Sequence, residues 1–133
     1  MNAASFDIAN YLVSLSSFDF VLGENLHIGR EPSQPPNSTV IFDTMGSKAP
    51  QLNLTDQGYE YANVQIRVRN ISYNEGIGLV VSLKNELHGL NNMELGGSYY
   101  ALIHASSGPA MLDWDENSRA RLIVNFECQR RSL

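Results

Sequence analysis

Apolar and polar side chains alternate most strictly between Ala62 and Arg69. Ala62, Val64, Ile66 and Val68 fall on one side, and Asn63, Gln65, Arg67 and Arg69 on the other. A period of two with a single apolar side predicts a strand half buried in a sheet. The run Ala120 to Cys128 repeats the pattern, with Ala120, Leu122, Val124, Phe126 and Cys128 opposite Arg121, Asn125 and Glu127; Ile123 interrupts the polar side. Shorter strands are predicted over Asn25–Gly29, Thr39–Phe42, Tyr99–Ala105 and Ala110–Trp114, with Gly108-Pro109 breaking the last two apart.

The period changes to 3.6 in two places. From Ser5 to Leu15, Ile8, Tyr11, Leu12 and Leu15 share one face, Ser5 is placed to cap and Asp7 suits the positive end. Ser16-Ser17 closes this helix. The second opens at Ser72-Tyr73-Asn74-Glu75, which has the spacing of a capping box, with Ile71 in position for a hydrophobic staple. Ile77, Val80, Val81, Lys84 and Leu87, together with Leu79, Leu83 and Leu90, follow at helical spacings, and Gly89 supplies a stop. Gly76 and Gly78 oppose the helix by about 1 kcal/mol each relative to alanine.

Between these elements, Glu31-Pro32-Ser33-Gln34-Pro35-Pro36-Asn37-Ser38 is excluded from helix and central strand, because its prolines fix φ and lack an N–H. Gly46 to Gly58 is polar and irregular, longer than most connections in a compact domain, and such loops often make contacts. The order is helix, three strands, helix, three strands. That predicts an α+β fold in one domain spanning residues 1–133, with two helices on one face of a largely antiparallel sheet. The expected core is Ile8, Leu12, Val64, Ile66, Val68, Val80, Leu83, Leu87, Leu122, Val124 and Phe126.

Composition narrows the functional classes. The chain has 133 residues, 43% hydrophobic and 17% charged, which suits a globular domain. Nine Lys+Arg against fourteen Asp+Glu give a net charge of −5, against a protein that grips nucleic-acid phosphates. No apolar stretch approaches the roughly 20 residues needed to cross a bilayer. The N-terminus lacks the basic start and apolar core of a signal peptide, so synthesis in a reducing cytoplasm is expected.

Candidate chemistry is sparse. His27, His88 and His104 lie in separate segments, none at a metal-ligand spacing. Asp113-Trp114-Asp115-Glu116 is the one dense acidic run; a hard cation would want such oxygens, but a solvated hairpin turn is the simpler reading. Cys128 falls on an apolar strand face and reads as a core residue rather than a nucleophile. No glycine-rich loop opens a helix as a phosphate cradle, and no G-x-S-x-G elbow occurs. Arg67, Arg69 and Arg121 fall on the polar sides of two strands. They could hold a small anion, as in a ligand-binding regulatory domain, or pair with carboxylates of a neighbouring subunit, or simply face solvent.

Read in order, several segments form a familiar set. They are Asp7-Ile8-Ala9-Asn10-Tyr11-Leu12, Asn25-Leu26-His27-Ile28-Gly29-Arg30-Glu31-Pro32, Val40-Ile41-Phe42-Asp43-Thr44, Val64-Gln65-Ile66-Arg67-Val68-Arg69, Tyr73-Asn74-Glu75-Gly76, Leu87-His88-Gly89-Leu90, Asp115-Glu116-Asn117-Ser118-Arg119 and Val124-Asn125-Phe126. With these spacings the chain resembles the minor capsid and tail-completion proteins of tailed bacteriophages, the group that includes tail terminators.

The resemblance implies a mixed sheet flanked by helices and a structural virion protein without catalytic residues or cofactor. It implies a homohexameric ring that caps the tail tube and joins it to the head, assembled in the host cytoplasm. Its partners would be the major tail tube protein and a head-completion or connector protein. DNA would pass through the ring without specific binding, and no membrane is involved. A related head–tail connector is the nearest alternative. On this reading Arg67, Arg69 and Arg121 are expected to meet Asp113, Asp115 and Glu116 of the next subunit. Leu52, Leu54, Tyr59 and Tyr61 in the long loop are expected to contact the tail tube.

Overall fold

The structure is a computed structural model describing residues 1–46 and 58–133. Helices α1 (Ala4–Ser14) and α2 (Tyr73–Leu87) pack on a six-stranded sheet. Its strands are β1 (Leu26–Ile28), β2 (Ser38–Thr44), β3 (Glu60–Asn70), β4 (Leu90–Leu95), β5 (Ser98–Trp114) and β6 (Ala120–Ser132). The spatial order is β1-β2-β3-β6-β5-β4. Only β1 and β2 run parallel, so the sheet is mixed and mostly antiparallel, in the expected α+β class. α2 lies across β3, β6 and β5. α1 lies on β1, β2 and β3 yet also reaches β4 from the far edge, which requires the sheet to curl around it.

The register puts one side of each long strand under the helices. Val64, Ile66 and Val68 stand opposite Phe126, Val124 and Leu122, so two period-two patterns merge into one apolar surface. All eleven residues expected in the core lie there, none more than 1% exposed. Leu26, Ile41, Tyr100 and Ile103 join them.

Several local expectations are corrected. Ala3, not Ser5, precedes α1 and offers no side-chain cap. Asp43 of β2 acts in its place, accepting from the Ser5 N–H at 3.1 Å and from its hydroxyl at 2.5 Å. Ser72 does cap α2, accepting from the Glu75 N–H at 3.3 Å, but the reciprocal half of the box is absent. Asn70 Oδ1 accepts the Ser72 N–H instead, and Ile71 is exposed rather than stapled. Gly89 follows the helix at φ +90°, as a stop requires.

The predicted break at Gly108-Pro109 does not occur. Tyr99–Ala105 and Ala110–Trp114 are parts of one strand, and the sheet absorbs the irregularity as shifts of register against β6. Gly108 makes this possible: a Cβ there would stand 2.8 Å from the Ile123 carbonyl oxygen. Leu90–Leu95, whose first residue fits the helical spacing, is instead the edge strand β4. Gly96 and Gly97, both at positive φ, turn it directly into β5 with Leu95 opposite Ser98.

One polar cluster is buried where α1 meets β5 and β6. Tyr100 donates to Asp7 Oδ2 at 2.6 Å, and Arg130 donates to the Tyr100 hydroxyl at 3.0 Å, to Glu60 at 2.7 Å and to the Asn2 carbonyl at 2.8 Å. Burial, reinforced by the bond to Asp7, pushes the Tyr100 phenol far above its ordinary pKa, so it remains a donor.

The two helical glycines should respond oppositely to alanine. A Cβ at Gly76 would stand 2.5 Å from a methyl of the fully buried Leu122 and 3.3 Å from Asn70 Cβ, whereas Gly78 faces open space. Urea melts should show Gly76→Ala losing about 1–2 kcal/mol through overpacking. Gly78→Ala should gain up to about 1 kcal/mol from helix propensity. In the same assay Ile66→Ala should cost about 2–5 kcal/mol, and Gln65→Ala far less.

Candidate assembly surface

The sheet face turned away from the helices carries the arginines that the sequence singles out. Arg67 and Arg69 lie on β3 and Arg121 on β6, with Arg69 directly opposite Arg121. All three converge on one carboxylate, Glu31, at the start of the proline-rich segment. Arg121 approaches it at 2.8 Å, Arg69 at 3.4 Å and Arg67 at 4.0 Å. Arg69 is only 2% exposed. It donates to the Pro36 carbonyl at 3.0 Å and the Pro35 carbonyl at 2.7 Å. Arg119 donates to the Ser33 carbonyl at 2.8 Å. Three prolines remove three backbone donors from this segment but leave its carbonyl acceptors. Guanidinium groups supply the missing donors and strap residues 31–36 across the end of the sheet.

The acidic run is divided by the same geometry. Asp115 is buried and makes a 2.6 Å ion pair with Arg119. It also accepts the backbone N–H groups of Asn117 and Arg119, which fixes the β5–β6 turn. Burial alone would raise its pKa. The bonds from Arg119 and Asn117 overcome that and hold the carboxyl below the usual range. Asp113 pairs with Arg121 of its own chain at 3.3 Å, while Glu116 is exposed. The Glu31 hydrogen bond is the main reason that the Arg121 pKa is raised.

The polar face is therefore not a row of free arginines. Arg69 is buried, where the alternation predicts exposure, because Glu31 and two proline carbonyls cover it. Arg67 lies over the Phe42 ring at 4.8 Å and donates to Gln65, which in turn donates to Asn125. The position that an anion would take between Arg67, Arg69 and Arg121 is filled by Glu31. The sequence patterns gave no role to Glu31, Arg119 and Arg130, although Asp115 and Arg119 stand four residues apart and an acid opens the proline run; they placed Asp7 at a helix end, where it also binds Tyr100 and Arg130.

The remaining candidates lie apart. His27 is near the Glu24 carbonyl, His88 Nδ1 accepts from the Ala105 N–H at 2.9 Å, and His104 faces Glu127 at 3.9 Å. Among the described residues no group of three His, Cys, Asp or Glu side chains could hold a metal. Cys128 is buried, and burial pushes its thiol up to about 12. Tyr59, just before β3, and Tyr61, within it, are half-buried; Leu52 and Leu54 lie outside the described residues.

Fold and surface define a small α+β domain whose charged groups hold its own segments in place. Comparison with known families gives it a narrower setting: the model for bacteriophage tail terminator proteins matches residues 14–131, and the chain belongs to that family. The family is one of structural phage tail proteins. A search of curated proteins returned no significant match. No described helix is long and apolar enough to cross a membrane.

The Asp115 knot makes a prediction. Asp115→Ala should lose roughly 1–3 kcal/mol at neutral pH, since it leaves buried donors unpaired. A depressed folded pKa contributes stability above the unfolded value near 3.9 and loses it as pH falls through the folded value. The gap between wild type and variant should therefore be wide in urea melts at pH 7 and should shrink as pH is lowered below about 4.

Proposed function

We propose that this chain is a tail terminator that acts as a homohexameric ring, capping the tail tube and joining it to the head. The observation that carries this reading is the family match across residues 14–131. On this reading it is not an enzyme, needs no cofactor, and resides in the virion at the tail–head junction after assembly in the host cytoplasm. Its partners are its own copies, the major tail tube protein and a head-completion or connector protein. Tyr59 and Tyr61, with Leu52 and Leu54, are the proposed tube contacts.

Size and charge support the ring. A globule of 133 residues has a radius of gyration of about 14 Å and a diameter on the order of 35 Å. Six such bodies in a closed ring leave a bore of about 35 Å, wide enough for duplex DNA. A lumen that passes DNA must not hold it. The net charge is −5, and Arg67, Arg69, Arg119, Arg121 and Arg130 are all paired with carboxylates of their own chain.

Native mass spectrometry of material bound to and released from tail tubes tests the reading. A species of six 14.8 kDa subunits is expected. A strict dimer under those conditions would overturn it. Duplex DNA binding at physiological salt should be weaker than about micromolar, as for nonspecific contact.

A further inference from the structure

β5 has a neighbour on both sides for only part of its length. β4 pairs with it from Ser98 to Ile103, whereas β6 continues to Trp114. From Ser106 to Trp114 its outer edge meets no strand among the described residues. Register shifts and Pro109 make that edge a poor template for another strand. It presents side chains instead. Trp114 is 55% exposed, and its ring lies 6.5 Å from that of Tyr73, which is itself exposed at the start of α2. Leu112 is exposed on the same strand. Glu116, exposed in the turn that follows, adds negative charge near this aromatic knob, whereas Asp113 is paired with Arg121.

The edge of the sheet at β1 offers the complement. Beside β1, a cleft of ≈ 480 Å³ is lined by Leu22, Ile28 and Pro32, with His27 and Arg30 on its wall. That volume lies within the range of pockets that enclose small ligands. Arg30 is exposed and, among the described residues, makes no hydrogen bond or ion pair, unlike Arg67, Arg69, Arg119, Arg121 and Arg130. β1 and β5 are separated by four strand spacings, about 19 Å along the sheet.

We infer that Trp114 of one copy seats in the Leu22–Ile28–Pro32 cleft of the next, with Glu116 of the first copy against Arg30 of the second. The occupant is a second copy because knob and socket belong to one chain, oppose each other in charge, and are centred on different strands, the knob on β5 and the socket on β1 at the sheet's edge. A head-to-tail contact requires two different, complementary faces. A large aromatic entering an apolar pocket inside a charged rim is the usual anatomy of a strong contact point. This inference rests on the proposed ring and names its interface. It takes the place of a contact through Arg67, Arg69 and Arg121, which Glu31 already engages.

Trp114 is the only tryptophan in the chain, so its emission reports this contact directly. As the intact protein assembles, by raised concentration or on tail tubes, the emission should move to the blue and acrylamide quenching should fall. Arg30→Glu and Glu116→Arg should each raise the concentration needed for assembly about tenfold or more, and the double variant should restore it. Circular dichroism of each variant should match wild type, since both positions are exposed. Assembly with unchanged Trp114 emission, or single reversals that assemble normally, would move the interface elsewhere and leave the ring standing. A chain that assembles under neither condition would overturn the ring and this contact with it.

Discussion

Strand β6 is the element on which the other parts depend. It is hydrogen-bonded along nearly its whole length to β3 on one side and β5 on the other. Its inner side supplies Leu122, Val124, Phe126 and Cys128 to the core, and α2 approaches closely enough that Gly76 touches Leu122. Its two ends carry the arginines of both polar clusters: Arg121, with Arg119 just before the strand, at one end, and Arg130 at the other. A one-residue slip of β6 would exchange its inner and outer sides. Such a slip would expose the core and pull Arg121 from Glu31 and Arg130 from Asp7.

Buried ion pairs recover a desolvation cost only when geometry is good and the remaining donors are met. Here those donors are met by backbone. Arg69 and Arg119 reach carbonyls of Pro35, Pro36 and Ser33, and Arg130 reaches that of Asn2. Each arginine thus ties a segment without regular structure to the sheet. One cluster fixes the proline-rich strap and the β5–β6 turn; the other fixes the chain start and α1. The consequence is that the most conspicuous cations are engaged within the chain.

Much of this was legible in the chain because burial imposes a period. Val64, Ile66, Val68, Leu122, Val124 and Phe126 had to share one face of a sheet, and Ile8, Leu12, Val80, Leu83 and Leu87 had to cover it. The fold class followed from their order. Periodicity says nothing about long-range polar partners. It marked Arg69 as solvent-facing because a strand residue opposite an apolar face usually is, while the covering strap comes from residues 31–36, far away in sequence. It also lost β4, since Leu90 continues the helical spacing while Gly96-Gly97 marks only the hairpin end. Gly108-Pro109 read as a break because local rules do not reveal that a neighbouring strand can absorb a bulge. The aromatic pair Tyr73 and Trp114 gave no signal, being 41 positions apart in sequence.

The central claim proposed for this chain, that it works as a closed ring at the end of a tail, rests on its membership of the tail terminator family. Averaged cryo-electron microscopy density of tail ends carrying this protein tests that claim most directly. The account predicts one sixfold ring of this chain at the head-proximal end, coaxial with the tube. Density that places the protein elsewhere on the tail, or holds it without sixfold symmetry about the tube axis, would contradict it.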